Sequence, residues 1–173
     1  DIDHLKSVKE AAQREMLLHA DNLSISRKEI FIKFTDEISS LLKNLGIPDA
    51  RLAVACKRVE PGSTGTDELN ILFSANKGIA PQEIRSVASG GEFSRLMFCI
   101  KYVLADKISL PTIIFDEIDT GVSGEIAIKM VCMMKEMAKS HQVMAISHLP
   151  QVAAKGDAHY FVYKDNSATK AES

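Results

Sequence analysis

Thr112-Ile113-Ile114-Phe115-Asp116-Glu117 is an apolar run that stops on two carboxylates. A strand covered on both faces shows continuous Val, Ile, Leu and Phe rather than alternation, and in open α/β sheets ligands bind beyond the carboxyl ends of such strands. The run therefore predicts a buried parallel strand that delivers Asp116 and Glu117 to a phosphate-and-magnesium site. Successive strand residues point to opposite sides, so the two acids are free to take different tasks. One suits a hydrated Mg²⁺, which takes few protein carboxylates and fills its remaining positions with phosphate oxygens and water. The other suits orienting or deprotonating a water. The plain alternative is a solvated acidic loop.

Around this strand the pattern is regular. A helix is predicted from about Gly91 to Asp106 before it and another from about Gly124 to Lys139 after it. The strand Val143 to Ile146, a short helix after Pro150 and the strand His159 to Tyr163 follow. Strand, helix, strand at this spacing is a βαβ unit with parallel strands. Upstream, Arg51 to Glu60 and Glu68 to Ser74 read as a pair of strands joined by a loose loop, Pro61-Gly62-Ser63-Thr64-Gly65-Thr66. Residues 78–87 read as loop. From Asp1 to about Leu45 there is no Pro or Gly, and apolar residues recur at helical spacing: Leu5, Val8, Ala12, Met16, then Ile30, Phe34, Ile38, Leu41, Leu42 and Leu45. That is a long helix, with a break admissible around Asn22 to Ser26, ended by Gly46 and Pro48. Its first half carries only a thin apolar stripe, as a coiled-coil arm would, or an ordinary surface helix. The expected organisation is a long helix over 1–45, an α/β body over 46–164 and a flexible polar tail over 165–173.

The whole chain sets limits on function. With 173 residues, 46% of them hydrophobic, it is long enough to bury one sizeable core. A formal net charge of -2 argues against a generally basic nucleic-acid surface. Cys56, Cys99 and Cys132 are well separated and form no CxxC pair, so neither a disulfide framework nor a zinc site is expected, and a reducing cytoplasm fits best. No apolar run approaches the ~20 residues of a membrane span. The chain opens at Asp1 in mid-helix, the pattern expected of an excised fragment.

Two further motifs flank the acidic strand. Ser89-Gly90-Gly91-Glu92-Phe93-Ser94-Arg95 opens a helix whose apolar face is Phe93, Leu96, Met97, Ile100, Val103 and Leu104. A capping box between Ser89 and Glu92 accounts for those two residues but not for two consecutive glycines, each costing about 1 kcal/mol in a helix. Glycines at a helix N-terminus bare N–H groups to an anion. Ser147-His148 directly follows the strand Val143-Met144-Ala145-Ile146. His148 would either cap the helix near Pro150 or, if the two strands are neighbours, share a ligand with Glu117. Met130, Met133, Met134 and Met137 are most simply core packing.

In order and spacing, Ser89-Gly90-Gly91-Glu92, the strand ending in Asp116-Glu117, Asp119 and His148 resemble the signature motif, Walker B strand, D-loop and switch histidine of ABC-type ATPase heads. Within that superfamily, residues 88–95, 115–124 and 147–154 closely resemble the RecN family of SMC-like bacterial DNA repair ATPases. The Asp-Thr-Gly-Val-Ser-Gly run and the His-Leu-Pro-Gln-Val-Ala run discriminate it from transporter ATPases. The resemblance runs from roughly Leu41 to Tyr163 and implies the C-terminal half of an ABC-type P-loop ATPase head, a parallel sheet flanked by helices. The long helix would be the stump of an antiparallel coiled coil. It further implies ATP and Mg²⁺ as cofactors, Asp116 on the metal, Glu117 polarising the attacking water, and His148 on the γ-phosphate. Asp119 would lie where two heads meet; Ser89, Gly90, Gly91 and Glu92, supported by Arg95, would bind ATP held mainly by the opposite head of a homodimer. Implied partners are the N-terminal lobe of the same protein, a second copy, and DNA, in the cytoplasm near the nucleoid, with no membrane.

One part of the pattern is missing. No Gly-x-x-x-x-Gly-Lys-Ser/Thr segment exists; Gly62-Ser63-Thr64-Gly65 lacks the lysine and Lys77-Gly78 is reversed. In the family that P-loop lies in the N-terminal lobe, so this chain alone is expected to bind ATP weakly and hydrolyse none. Two other functions fit some of the same residues: the cytosolic subunit of an ABC transporter, against which the helix entering from upstream counts, and a non-catalytic dimerisation module.

Overall fold

A computed structural model describes residues 1–86, 90–108, 110–119, 121–122, 124–165 and 168–172. They fall into two compact units, residues 1–43 with 47–88, and residues 44–46 with 89–173. This grouping differs from a boundary at 45, because the long helix shares its unit with the strands that follow it.

In the first unit α1 runs unbroken over Ile2–Asn44. The expected break near Ser24 and Ser26 does not occur, since both hydroxyls bond back to the carbonyls four residues earlier, Ala20 and Asn22, each at 3.1 Å. The first turns expose Ile2, Leu5 and Val8. Gly46 ends the helix at φ +82°, where the Ile47 N–H reaches back to the Leu42 carbonyl at 2.9 Å. This is a Schellman cap, closed by the buried pair Leu42 and Ile47. β1 (Arg51–Gly62) and β2 (Gly65–Ser74) then pair antiparallel, and β3 (Gln82–Glu83), inside the stretch read as loop, adds to β2. The connection expected to be loose is a tight turn at Ser63 and Thr64 closed by Gly62 opposite Gly65, with a register irregularity between Arg58 and Gly62. Gly65 sits at φ +94°, and a Cβ there would come within 3.1 Å of Leu23 on α1. Only glycine meets both conditions.

The second unit holds the βαβ pattern. α2 (Gly90–Ala105) and α3 (Gly124–Met137) flank β4 (Thr112–Asp116), which pairs in parallel with β5 (Gln142–Ile146). Leu96, Phe98 and Cys99 from α2, Ile113 and Phe115 from β4, and Ala127, Met130, Val131, Met134 and Met137 from α3 form its core. Met130, Met134 and Met137 are thus packing, as expected, while Met133 is only partly buried. Burial pushes the Cys99 thiol up to about 12, against a smaller opposing pull from Arg95, so it is chemically inert. β4 is covered on one face only: Ile113 and Phe115 are buried while Ile114 is exposed, so the apolar run is not buried on both sides among the described residues. A short α4 (Pro150–Ala153) follows. The strand expected at 159–163 begins two residues later, as β6 (Phe161–Asp165). Its antiparallel partner is β7 (Ala168–Glu172), formed from the stretch expected to be a flexible tail.

Candidate functional site

The parallel pairing of β4 with β5 sets Asp116 opposite Ile146. The chain segments after each strand, one carrying Glu117 and Asp119 and the other Ser147 and His148, therefore leave the same edge of the sheet. Glu117 extends the ladder by one bond, its N–H donating to the Ile146 carbonyl at 3.0 Å. Its φ is +46°, in the left-handed region that costs a non-glycine residue roughly 1–2 kcal/mol. Strict strand alternation thus does not set the direction of Glu117, because the backbone has already left the extended conformation. Strain of this kind is stored where a side chain has to be aimed. Asp116 and Glu117 are both exposed.

Asp119 is different, being only 2% exposed. Its carbonyl accepts the Val122 N–H at 3.0 Å, fixing the turn. One carboxylate oxygen, Oδ2, accepts the Ser147 hydroxyl. The other, Oδ1, is buried without a hydrogen-bond partner among the described residues and lies 3.6 Å from His148 Nδ1. The Ser147 Oγ in turn accepts the Leu149 N–H at 3.0 Å. His148 itself is 69% exposed. Asp119, Ser147 and His148 thus meet, and Ser147 is a site residue that the sequence offered only as the neighbour of a histidine.

At the start of α2, a Cβ on Gly90 would meet nothing within 4 Å. Among the described residues, local packing does not require that glycine. Gly90 lies eight residues, about 12 Å along the axis, before Phe98, whose ring centroid is 5.2 Å from that of Phe115. Arg95 is half-buried, and its Nε has no hydrogen-bond partner among the described residues. Ser89, with the Ser89–Glu92 capping box, lies outside the described residues, as do Ala88, Thr120 and Ser123.

Among the described residues no group of three or more His, Cys, Asp or Glu is placed to hold a metal ion. A single exposed strand-end carboxylate, Asp116, nevertheless fits hydrated Mg²⁺, whose other positions go to phosphate and water. No described helix is long and apolar enough to cross a membrane.

No family model matches the chain. The DNA repair protein RecN of Rickettsia conorii is 37% identical over 162 residues, covering 94% of this chain and 30% of that protein. RecN of Streptomyces coelicolor is 32% identical over 178 residues, covering 95% and 31%. The chain belongs to the RecN family. Its match lies in the C-terminal part of the RecN proteins, and it spans 27% of the Xylella fastidiosa Temecula1 RecN, to which it is 36% identical. Among solved structures, an Smc head domain with a coiled coil and joint derived from Pyrococcus yayanosii aligns with TM-score 0.66 at 20% identity, over 98% of this chain and 33% of that one. An Smc head bound to the C-winged helix domain of ScpA aligns with TM-score 0.62 over 84% of this chain. RecN membership and an SMC-head fold agree with what residues 88–95, 115–124 and 147–154 resemble.

Proposed function

We propose that this chain is the C-terminal half of an SMC-like ATPase head acting in DNA double-strand-break repair and recombination. The observation that carries the reading is the shared sheet edge: Asp116 ends β4 opposite Ile146 of β5, and Asp119 lies 3.6 Å from His148 in the segment after β5. The relatives' name, DNA repair protein RecN, supports the biological role. A further SMC structure of the same fold (TM-score 0.52, 20% identity), described in terms of ATP-driven dimerization and DNA stimulated activation, supports nucleotide chemistry between two heads.

In this reading Asp116 holds Mg²⁺, and Mg²⁺ supplies charge neutralisation at the phosphates. Glu117, aimed by its left-handed backbone, orients and deprotonates the attacking water. His148 presents an exposed ring to the γ-phosphate. Ser89, Gly90, Gly91 and Glu92, supported by Arg95, receive the γ-phosphate of ATP bound mainly by the opposite head. Asp119 lies toward the junction of the heads. The N-terminal lobe supplies the P-loop, a second copy completes the sandwich, and DNA is the polymer acted on, in the cytoplasm at the nucleoid.

Removing the base while keeping the shape gives the decisive test. In the full-length protein Glu117→Gln should lower ATP turnover by roughly 10²–10⁴-fold with ATP still bound; unchanged turnover would remove Glu117 from the mechanism. Isothermal titration of this 173-residue chain with ATP and Mg²⁺ should show weak binding and no hydrolysis. Submicromolar affinity would sink the half-head reading.

A further inference from the structure

We infer that Asp119 and Ser147 are positioning residues for His148, acting within one chain. The buried carboxylate pins the segment after β5 through the Ser147 hydroxyl and offers its second oxygen to the imidazole Nδ1. Nε2 is then the ring nitrogen left for the nucleotide. The inference rests on the reading of His148 as the γ-phosphate contact, and deepens it.

The geometry has three parts. Ser147 Oγ bonds Asp119 Oδ2 and accepts the Leu149 N–H, so the backbone is tied down on both sides of His148 while the ring remains exposed. A hydroxyl that bridges to the N–H two residues on makes an ST-turn around the intervening residue. Asp119 is itself fixed by the Val122 N–H and is almost wholly out of water. A carboxylate that served only to join two loops would be explained by Oδ2. It would not need a second, buried oxygen standing 3.6 Å from a histidine nitrogen and lacking a hydrogen bond. Buried polar atoms without hydrogen-bond partners are uncommon and call for a specific explanation.

A small rotation of His148 closes that gap. An Nδ1–H directed at a carboxylate fixes the tautomer, as in other carboxylate–histidine pairs. Nε2 is then the ring nitrogen that faces outward, toward the nucleotide, with the ring orientation set by Asp119.

Two measurements test this. In the full-length protein, single-turnover ATP hydrolysis is followed for Asp119→Asn, His148→Gln and the double variant, with Ser147→Ala as a milder arm that keeps the buried carboxylate. Asp119→Asn should lower kcat roughly 10–100-fold, within the range for an orienting partner of a catalytic base or acid, with KM for ATP little changed. In the His148→Gln background the same substitution should cost under about two-fold, because contacts that act through one residue are not additive. Ser147→Ala should follow the same pattern with a smaller loss. Equal losses in both backgrounds would show that Asp119 acts elsewhere and overturn the inference. Full activity in His148→Gln would overturn the histidine reading itself, which separates the two failures. Independently of turnover, the imidazole nitrogen shifts of His148 in this chain should report an Nδ1-protonated ring that reverts to a solution-like mixture in Asp119→Asn. An identical spectrum in both would also overturn it.

Discussion

Asp67 and Asp119 are both carboxylates withdrawn from water, with side chains 6% and 3% exposed, yet their surroundings are opposite. Asp67, on β2, meets donors at both oxygens. Ser24 Oγ lies 2.8 Å from each, Arg27 donates to Oδ2 at 3.0 Å, and the Cys56 thiol approaches Oδ1 at 3.6 Å. Arg27 also donates to the Thr64 carbonyl at 2.9 Å, so the cluster fastens the hairpin turn to the middle of α1. Asp119 meets one hydroxyl and leaves an oxygen uncommitted. The carboxylate of Asp67 is saturated by neighbours that fasten the fold, whereas the second oxygen of Asp119 lies 3.6 Å from His148 Nδ1 without a hydrogen bond among the described residues. Saturation, more than burial, separates the fastener from the working part.

The sharpest way to break this contrast is to remove each charge in turn from the full-length protein. Asp67→Ala should lower the melting temperature clearly, since it strands Arg27 and Ser24, while the folded protein keeps its ATP turnover within about two-fold. Asp119→Asn should do the reverse. If Asp67→Ala lowers turnover as Asp119→Asn does with no loss of melting temperature, the two sites are not separable. A smaller effect appears with pH. The Ser24 hydroxyl above all, then Arg27 and the Cys56 thiol, hold the Asp67 carboxyl below its usual range against the opposing effect of burial. A carboxyl depressed on folding stabilises the fold above its unfolded value, about 3.9, and loses that contribution as the pH falls through the folded value. The melting temperature of this chain should therefore drop between pH 5 and 3 by more than that of Asp67→Asn. Equal slopes would show that Asp67 contributes no linkage.

Much of the fold could be read from local signals that tertiary contacts did not contradict. Gly46 and Pro48 ended α1 because a left-handed cap needs glycine, and the apolar run 112–115 with its flanking helices predicted the β4–β5 pair. The break at Ser24 failed because its single hydroxyl proton, within reach of the Ala20 carbonyl on its own helix, is also within reach of Asp67, a residue 43 positions away. The tight turn after β1 was missed because Gly65 answers to the proximity of Leu23, which spacing cannot show. At the site, the residue types and order were legible, but two physical features were not. The left-handed backbone of Glu117 is a torsion, and the burial of Asp119 depends on the Ser147 segment brought to it by the strand pairing. Neither leaves a mark in a linear sequence.

Lys101 has a bearing on how this chain keeps to itself. The Glu117 N–H turns toward β5, so by alternation the Ile114 carbonyl faces the other, open edge of β4. Lys101 Nζ occupies it at 3.3 Å while lying 5.3 Å from the Phe115 ring centroid. A strand edge left unpaired is a template for pairing between molecules. With a lysine seated on its acceptor, a strand that paired there would first have to displace a cation.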